Sequence, residues 1–240
     1  MRVVLIHGLG GSPAVWSKVT PGLPDALTPR LPGTARIDEE AHRIGAILGR
    51  HDGPFTLVGH SMGGLVATAI AERLPRLVER IILVNTPPTL ASRISARSLS
   101  ERALGVPVIG SMIWNTLPDM AIRKGLSTAF APGFGVPDLF IQDLRTTGLP
   151  ALLRSTRAID AYLGERPLVD RLNALDCPIR VVFGLRDQRV NPSAVDEYRR
   201  IPHVQVTTLA SSGHTPPWEQ PDAVTAAILR GASPASEAPS

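Results

Sequence analysis

The chain has 240 residues, of which 43% are hydrophobic and 19% charged, and a formal net charge of +4. This length suits one α/β domain carrying an insertion, and the apolar content excludes a wholly disordered chain. Lys18 and Lys124 are the only lysines, and the arginines are scattered among acids without base-stacking aromatics between them, which argues against a nucleic-acid-binding stripe.

The elements follow in order. Val3-Val4-Leu5-Ile6 is a continuous apolar run, as in a strand covered on both faces of a parallel sheet, and predicts a strand over 2–6. It enters His7-Gly8-Leu9-Gly10-Gly11-Ser12, whose glycines let backbone amides approach a bound group. A second strand is expected near 26–30. Ile37, Ala41, Ile44, Ile47 and Leu48 share one face at helical spacing, with Asp38, Glu39, Glu40 and Arg43 opposite, which predicts a helix over 36–50. Further strands are expected near 54–58, 80–85, 179–183 and 204–209, and helices near 62–74, 193–200 and 220–230. Alternating βα units imply a parallel sheet covered on both faces. The tail 232–240, rich in Pro, Ser and Ala, is expected to be disordered.

No apolar stretch approaches the length of a membrane span, and the chain enters its first strand too soon for a signal peptide. Cys177 is the only cysteine, so no intrachain disulfide can form; before Pro178 at a strand entrance it reads as a packing residue. These features predict a cytoplasmic protein. No two histidines stand at metal-ligand spacing, so neither metal nor cofactor is expected.

The sharpest chemical signal is Gly59-His60-Ser61-Met62-Gly63-Gly64, between the strand ending at Val58 and the following helix. A serine between glycines at a strand-to-helix turn is exposed at the C-terminal edge of a sheet, because Gly59 and Gly63 remove collisions with the adjacent helix and strand. The plainer reading is a glycine-rich helix start with a capping serine. A serine hydroxyl needs a base and an orienting acid. Asp187, in Gly184-Leu185-Arg186-Asp187-Gln188-Arg189-Val190, and His214, in Ser211-Ser212-Gly213-His214-Thr215, each follow a predicted strand. A turn residue is the alternative role for Asp187.

The order Ser61, Asp187, His214, each just after a strand, together with the His7-Gly8 loop, resembles the α/β-hydrolase family over nearly the whole chain. The resemblance implies Ser61 as nucleophile, His214 as general base and Asp187 as the acid that orients it. It also implies an oxyanion hole made by the backbone N–H groups of Met62 and Leu9. His7 reads as a brace for this loop, not a base, and His60, which flanks the nucleophile, as a residue packed beside it. The family usually has two further strands before the His-Gly loop, so a trimmed sheet of six main strands is expected. The core would comprise residues 1–86 and 176–231, and 87–175 a helical cap broken by prolines and glycines into short helices. Trp114, Met112, Phe134 and Phe140 are the candidates for its substrate-binding roof; packing the cap onto the sheet is their alternative role.

Gly-His-Ser-Met-Gly-Gly looks most like serine esterases, lipases and thioesterases. The expected reaction is hydrolysis of a carboxylic ester, thioester or lactone of a small hydrophobic substrate by a monomer or homodimer. A carbon–carbon bond hydrolase, another acyl-transfer enzyme, and a non-catalytic ligand-binding protein on the same fold are the alternatives. A dinucleotide-binding reading of Gly8-Leu9-Gly10 fails because Pro13 stands at the third glycine position.

Overall fold

The computed structural model describes residues 2–94, 106 and 109–230; the expected disordered tail lies outside them. Five strands form one parallel sheet in sequential order: β1 (Arg2–Ile6), β2 (Phe55–His60), β3 (Val78–Val84), β4 (Ile179–Gly184) and β5 (Val204–Leu209). The helices are α1 (Ile37–Leu48), α2 (Met62–Arg73), α3 (Ile109–Thr116), α4 (Asp119–Leu126), α5 (Asp138–Glu165), α6 (Leu168–Leu172), α7 (Val195–Arg199), α8 (Pro216–Glu219) and α9 (Pro221–Leu229).

Alternation along the strands divides the core. Val4, Ile6, Phe55, Leu57, Ile81, Leu83, Val181 and Phe183 face one layer, packed with α1, α2, α6 and α7. Val3, Leu5, Val58, Ile82, Val84 and Val182 face the other, against Trp16, Val19 and α9. β1 to β4 therefore bury both faces, which is why the sequence shows continuous apolar runs there, whereas β5 at the sheet edge leaves Gln205 exposed.

The sixth expected strand, 26–30, is reduced to a single bridge, Val4 to Leu27, on the edge of β1 away from β2. Pro24 precedes this segment and Pro29 lies within it, and proline has no amide to donate to a ladder. The chain therefore leaves β1 for one edge and returns through α1 to its other side. The C-terminal end of β1 is a switch point, the place where open α/β sheets form ligand crevices.

Two patterning details differ from expectation. Glu40 is buried, because its carboxylate accepts the Thr34 N–H at 2.6 Å, while Ile47 is exposed. Between β3 and β4, α5 is two helical segments joined at Gly148, whose φ of 71° and ψ of 157° are non-helical, with Pro150 directly beyond the break. Ile122, Leu126, Ala129, Phe130, Val136 and Ile141 form a small apolar cluster of this insertion's own.

Candidate active site

Ser61 sits on the turn between β2 and α2 with φ 53° and ψ −118°, a conformation that non-glycine residues adopt only where surrounding structure enforces it. Its N–H donates to Val84 O at 2.9 Å. A Cβ on Gly59 would lie 2.3 Å from Gly63 O, and one on Gly63 2.2 Å from Ile6 O. Both glycines are therefore required by backbone crossing within van der Waals distance, the collision inferred from the motif.

The three side chains drawn from separate strand ends converge. His214 Nε2 lies 2.9 Å from Ser61 Oγ, and His214 Nδ1 lies 2.7 Å from Asp187 Oδ2. An ionised carboxylate only accepts, so Nδ1 carries the proton and Nε2 is free to accept the Ser61 hydroxyl. Asp187 is buried, and burial alone would raise its pKa. The charge of the His214 ring, with hydrogen bonds from His214, Asn85 and the Arg189 N–H, outweighs burial and holds the carboxyl below the ordinary aspartate range. Its Oδ1 accepts the N–H groups of Arg189 (2.7 Å) and Val190 (3.0 Å).

The candidate oxyanion donors occupy the expected elements. Met62 is the first residue of α2, where an unpaired N–H and the helix dipole favour negative charge. Leu9 follows β1 in the glycine loop. Among the described residues no acceptor takes the N–H of Leu9 or Met62. His7 braces this loop: its Nδ1–H donates to Gly8 O at 2.8 Å and its Nε2 accepts the Leu31 N–H at 2.9 Å. Burial, opposed by the Gly8 carbonyl and aided by Arg30, pushes the His7 pKa down to about 4. His60 donates from Nε2 to His214 O at 2.8 Å and meets the Trp16 ring edge-on. Burial, then repulsion from His214, lowers its pKa to about 3. Both rings are neutral braces.

Asn85 carries no signal in the motifs, yet it is central. It is fully buried at the end of β3 with φ 43°, a left-handed conformation that asparagine tolerates. Its Nδ2 donates to Asp187 Oδ2 (2.7 Å) and Gly213 O (3.1 Å), while its Oδ1 accepts the Gly184 N–H (2.9 Å). The available clue was positional: a polar residue directly after an apolar strand, like Ser61. Ser12 Oγ donates to the buried Asp143 carboxylate at 2.6 Å and so ties the glycine loop to α5.

The four expected roof residues are not gathered in one place. Met112 is 65% exposed and Trp114 8% exposed. Two residues apart on α3, they project in nearly opposite directions and cannot line one wall together. Phe134 and Phe140 both contact Phe130, with ring centroids 5.3 and 5.0 Å away, and Phe140 meets Trp218 at 5.3 Å. Cys177 packs beside the core, and burial raises its thiol pKa, which disfavours the nucleophilic thiolate. Among the described residues no group of three potential metal ligands occurs, and no helix is long and apolar enough to cross a membrane. Open depressions of about 410 and 540 Å³ lie around His42 and Arg73, at the far end of α2 from Ser61, so triad geometry rather than cavity volume marks the site.

Residues 3–227 match the model of the Alpha/beta hydrolase family. The chain is 28% identical to a pimeloyl-[acyl-carrier protein] methyl ester esterase of Neisseria meningitidis, over 90% of this chain and 71% of that protein. A thermophilic esterase of Thermogutta terrifontis superposes with a TM-score of 0.71 at 24% identity, covering 96% of this chain and 89% of the other. A hydrolase of Oleispira antarctica gives 0.77 at 14% identity, with 96% and 90% covered.

Proposed function

The chain belongs to the alpha/beta hydrolase family, and from that footing we propose that it is a serine hydrolase cleaving a carboxylic ester of a small hydrophobic substrate through an acyl-enzyme. The observation that carries this reading is the line from Ser61 Oγ through both nitrogens of His214 to Asp187, with steps of 2.9 and 2.7 Å. Ser61 attacks the acyl carbon while His214 Nε2 takes its proton, and the Leu9 and Met62 N–H groups receive the developing oxyanion. His214 then returns the proton to the departing alkoxide. A water molecule repeats the sequence on the acyl-enzyme, with His214 again acting first as base and then as acid. Asp187 keeps the ring in the productive tautomer and stabilises its charged form. Each oxyanion donor is worth on the order of 3 kcal/mol of transition-state stabilisation.

The meningococcal relative is named for a methyl ester of a carrier-bound acyl group, which favours an ester as the scissile bond here. The ring cluster of Phe134, Phe130 and Phe140 joins Trp218, four residues beyond His214, and supports an apolar subsite on that side. At most one of Trp114 and Met112 shares it. A cytoplasmic setting is part of this reading, supported by the single Cys177.

The test is a fluorophosphonate titration followed by hydrolysis of p-nitrophenyl esters. One labelled site per chain and turnover of short to medium acyl chains are expected, with little activity on emulsified triolein. Ser61→Ala should lose labelling and turnover while its circular dichroism is unchanged. Residual activity above about a hundredth of wild type would remove Ser61 as nucleophile.

A further inference from the structure

Three consecutive residues of the insertion are bound to the acid and histidine regions. Thr215 Oγ1 donates to Ala129 O at 2.6 Å, Gln188 Nε2 donates to Phe130 O at 3.1 Å, and the Ala131 N–H donates to Glu219 Oε2 at 2.9 Å. The same Oε2 accepts the Gly213 N–H at 2.9 Å, and Oε1 accepts the Thr215 N–H at 3.1 Å. Gly213 and Thr215 are the immediate neighbours of His214. One carboxylate therefore holds the chain on both sides of the imidazole and ties it to the insertion.

The chemistry suits a carboxylate. Three N–H donors converge on its two oxygens, and an ionised carboxylate accepts at both without presenting a proton to any of them. The approach is close: a Cβ on Gly213 would lie 2.2 Å from Ala131 N. Phe130, beside Ala131, is fully buried and stacked, so the far end of the tether is rigid.

We infer that Glu219 is a positioning residue: it fixes the backbone that carries His214 so that Nε2 stays in reach of Ser61 Oγ, and it makes this placement depend on the seating of the insertion. The inference rests on the hydrolytic reading above. Glu219 touches no reacting atom, so its effect belongs in kcat, through the geometry of proton transfer, and not in KM.

The experiment measures kcat and KM on p-nitrophenyl butyrate for wild type, Glu219→Gln and Glu219→Ala, with kcat normalised to fluorophosphonate-titrated sites. Displacing a catalytic group by about 1 Å costs on the order of 100-fold, so Glu219→Ala should lose about that much in kcat per titrated site, with KM changed by less than about threefold. Glu219→Gln keeps the length and one acceptor oxygen but turns an amino group toward an N–H; it should lose about tenfold, an intermediate rescue. If kcat per titrated site stays within about twofold of wild type in Glu219→Ala, and only the titratable fraction falls, the role is structural and the inference is overturned. Should Glu219→Ala fail to fold, Glu219→Gln decides alone: about tenfold lower kcat at unchanged KM supports the inference, and wild-type kcat refutes it. A wild-type protein that neither labels nor turns over esters refutes the hydrolytic reading itself, and the inference with it, a result distinct from active wild type with active variants.

Discussion

Acidification should destabilise this protein through two histidines that take no part in proton transfer. His7 and His60 are buried, with pKa values lowered from 6.5 to about 4 and about 3. Their folded pKa values lie below the unfolded value, so the neutral rings contribute stability that is complete above pH 6.5 and is lost as pH falls below it. At pH 5 an unfolded imidazole is mostly protonated while either buried ring refuses the proton, which costs about 2 kcal/mol per site, or about 4 kcal/mol for the pair relative to pH 8. Asp187 does not confound this interval, because its lowered pKa moves its own loss of stability below the ordinary aspartate range. Urea unfolding followed by the fluorescence of the fully buried Trp16, which packs on His60, gives the free energies at both pH values. His60→Gln should be less stable at pH 8 but lose only about 2 kcal/mol on moving to pH 5, because His7 alone then remains. A wild-type loss below about 1 kcal/mol, or an undiminished loss in His60→Gln, would refute the neutral-brace account.

Other predictions concern the site. Asp187→Asn favours the wrong imidazole tautomer and should lower kcat by about 10³ to 10⁴, with the Asp187→Asn, His214→Ala double variant hardly worse than His214→Ala alone; near-normal turnover would dismiss Asp187 as the acid. Asn85→Leu strips hydrogen bonds from Asp187, Gly184 and Gly213 together. It should lower kcat at least tenfold and destabilise the fold by about 2 to 4 kcal/mol, because buried partners are left unpaired; unchanged kcat and unfolding midpoint would refute this. Gly213→Ala places a methyl 2.2 Å from Ala131 N, so the insertion or the histidine loop must shift. Increased hydrogen exchange at 129–131 and reduced turnover are expected, and wild-type exchange there would contradict the close packing.

The nucleophile motif was legible because its constraint is local. Gly59 and Gly63 are demanded by backbone atoms within a few residues of Ser61 and at the end of β1, so the requirement appears as a short pattern. Asp187 and His214 were legible because each follows an apolar strand in the expected order. Asn85 and Glu219 were not: Asn85 acts on Asp187, distant in sequence, and Glu219, though it also binds the nearby Gly213 and Thr215, ties them to the distant Ala131, a link that no local pattern shows. The strand expected at 26–30 shrank to one bridge because apolar residues alone do not make a strand where Pro29 within it and Pro24 before it withhold donors. Met112 and Trp114 looked equivalent by composition, but helical rotation on α3 separates them.

By itself the sequence determined the parallel α/β class, the order of the functional side chains and the turn that exposes Ser61. The first and the last follow from periodicity and from backbone sterics over short stretches of chain, and the order was legible through its resemblance to the α/β-hydrolase family. Only the tertiary structure decided which carboxylates and amides surround Asp187 and His214, how the insertion is tied to the histidine loop, and which apolar residues meet. Those contacts join residues up to a hundred or more positions apart, as between Asn85 and Gly213 or Ser12 and Asp143. Hydrogen bonds of 2.6 to 3.1 Å depend on where packed layers bring two backbones together, and no local pattern of residues encodes that distance.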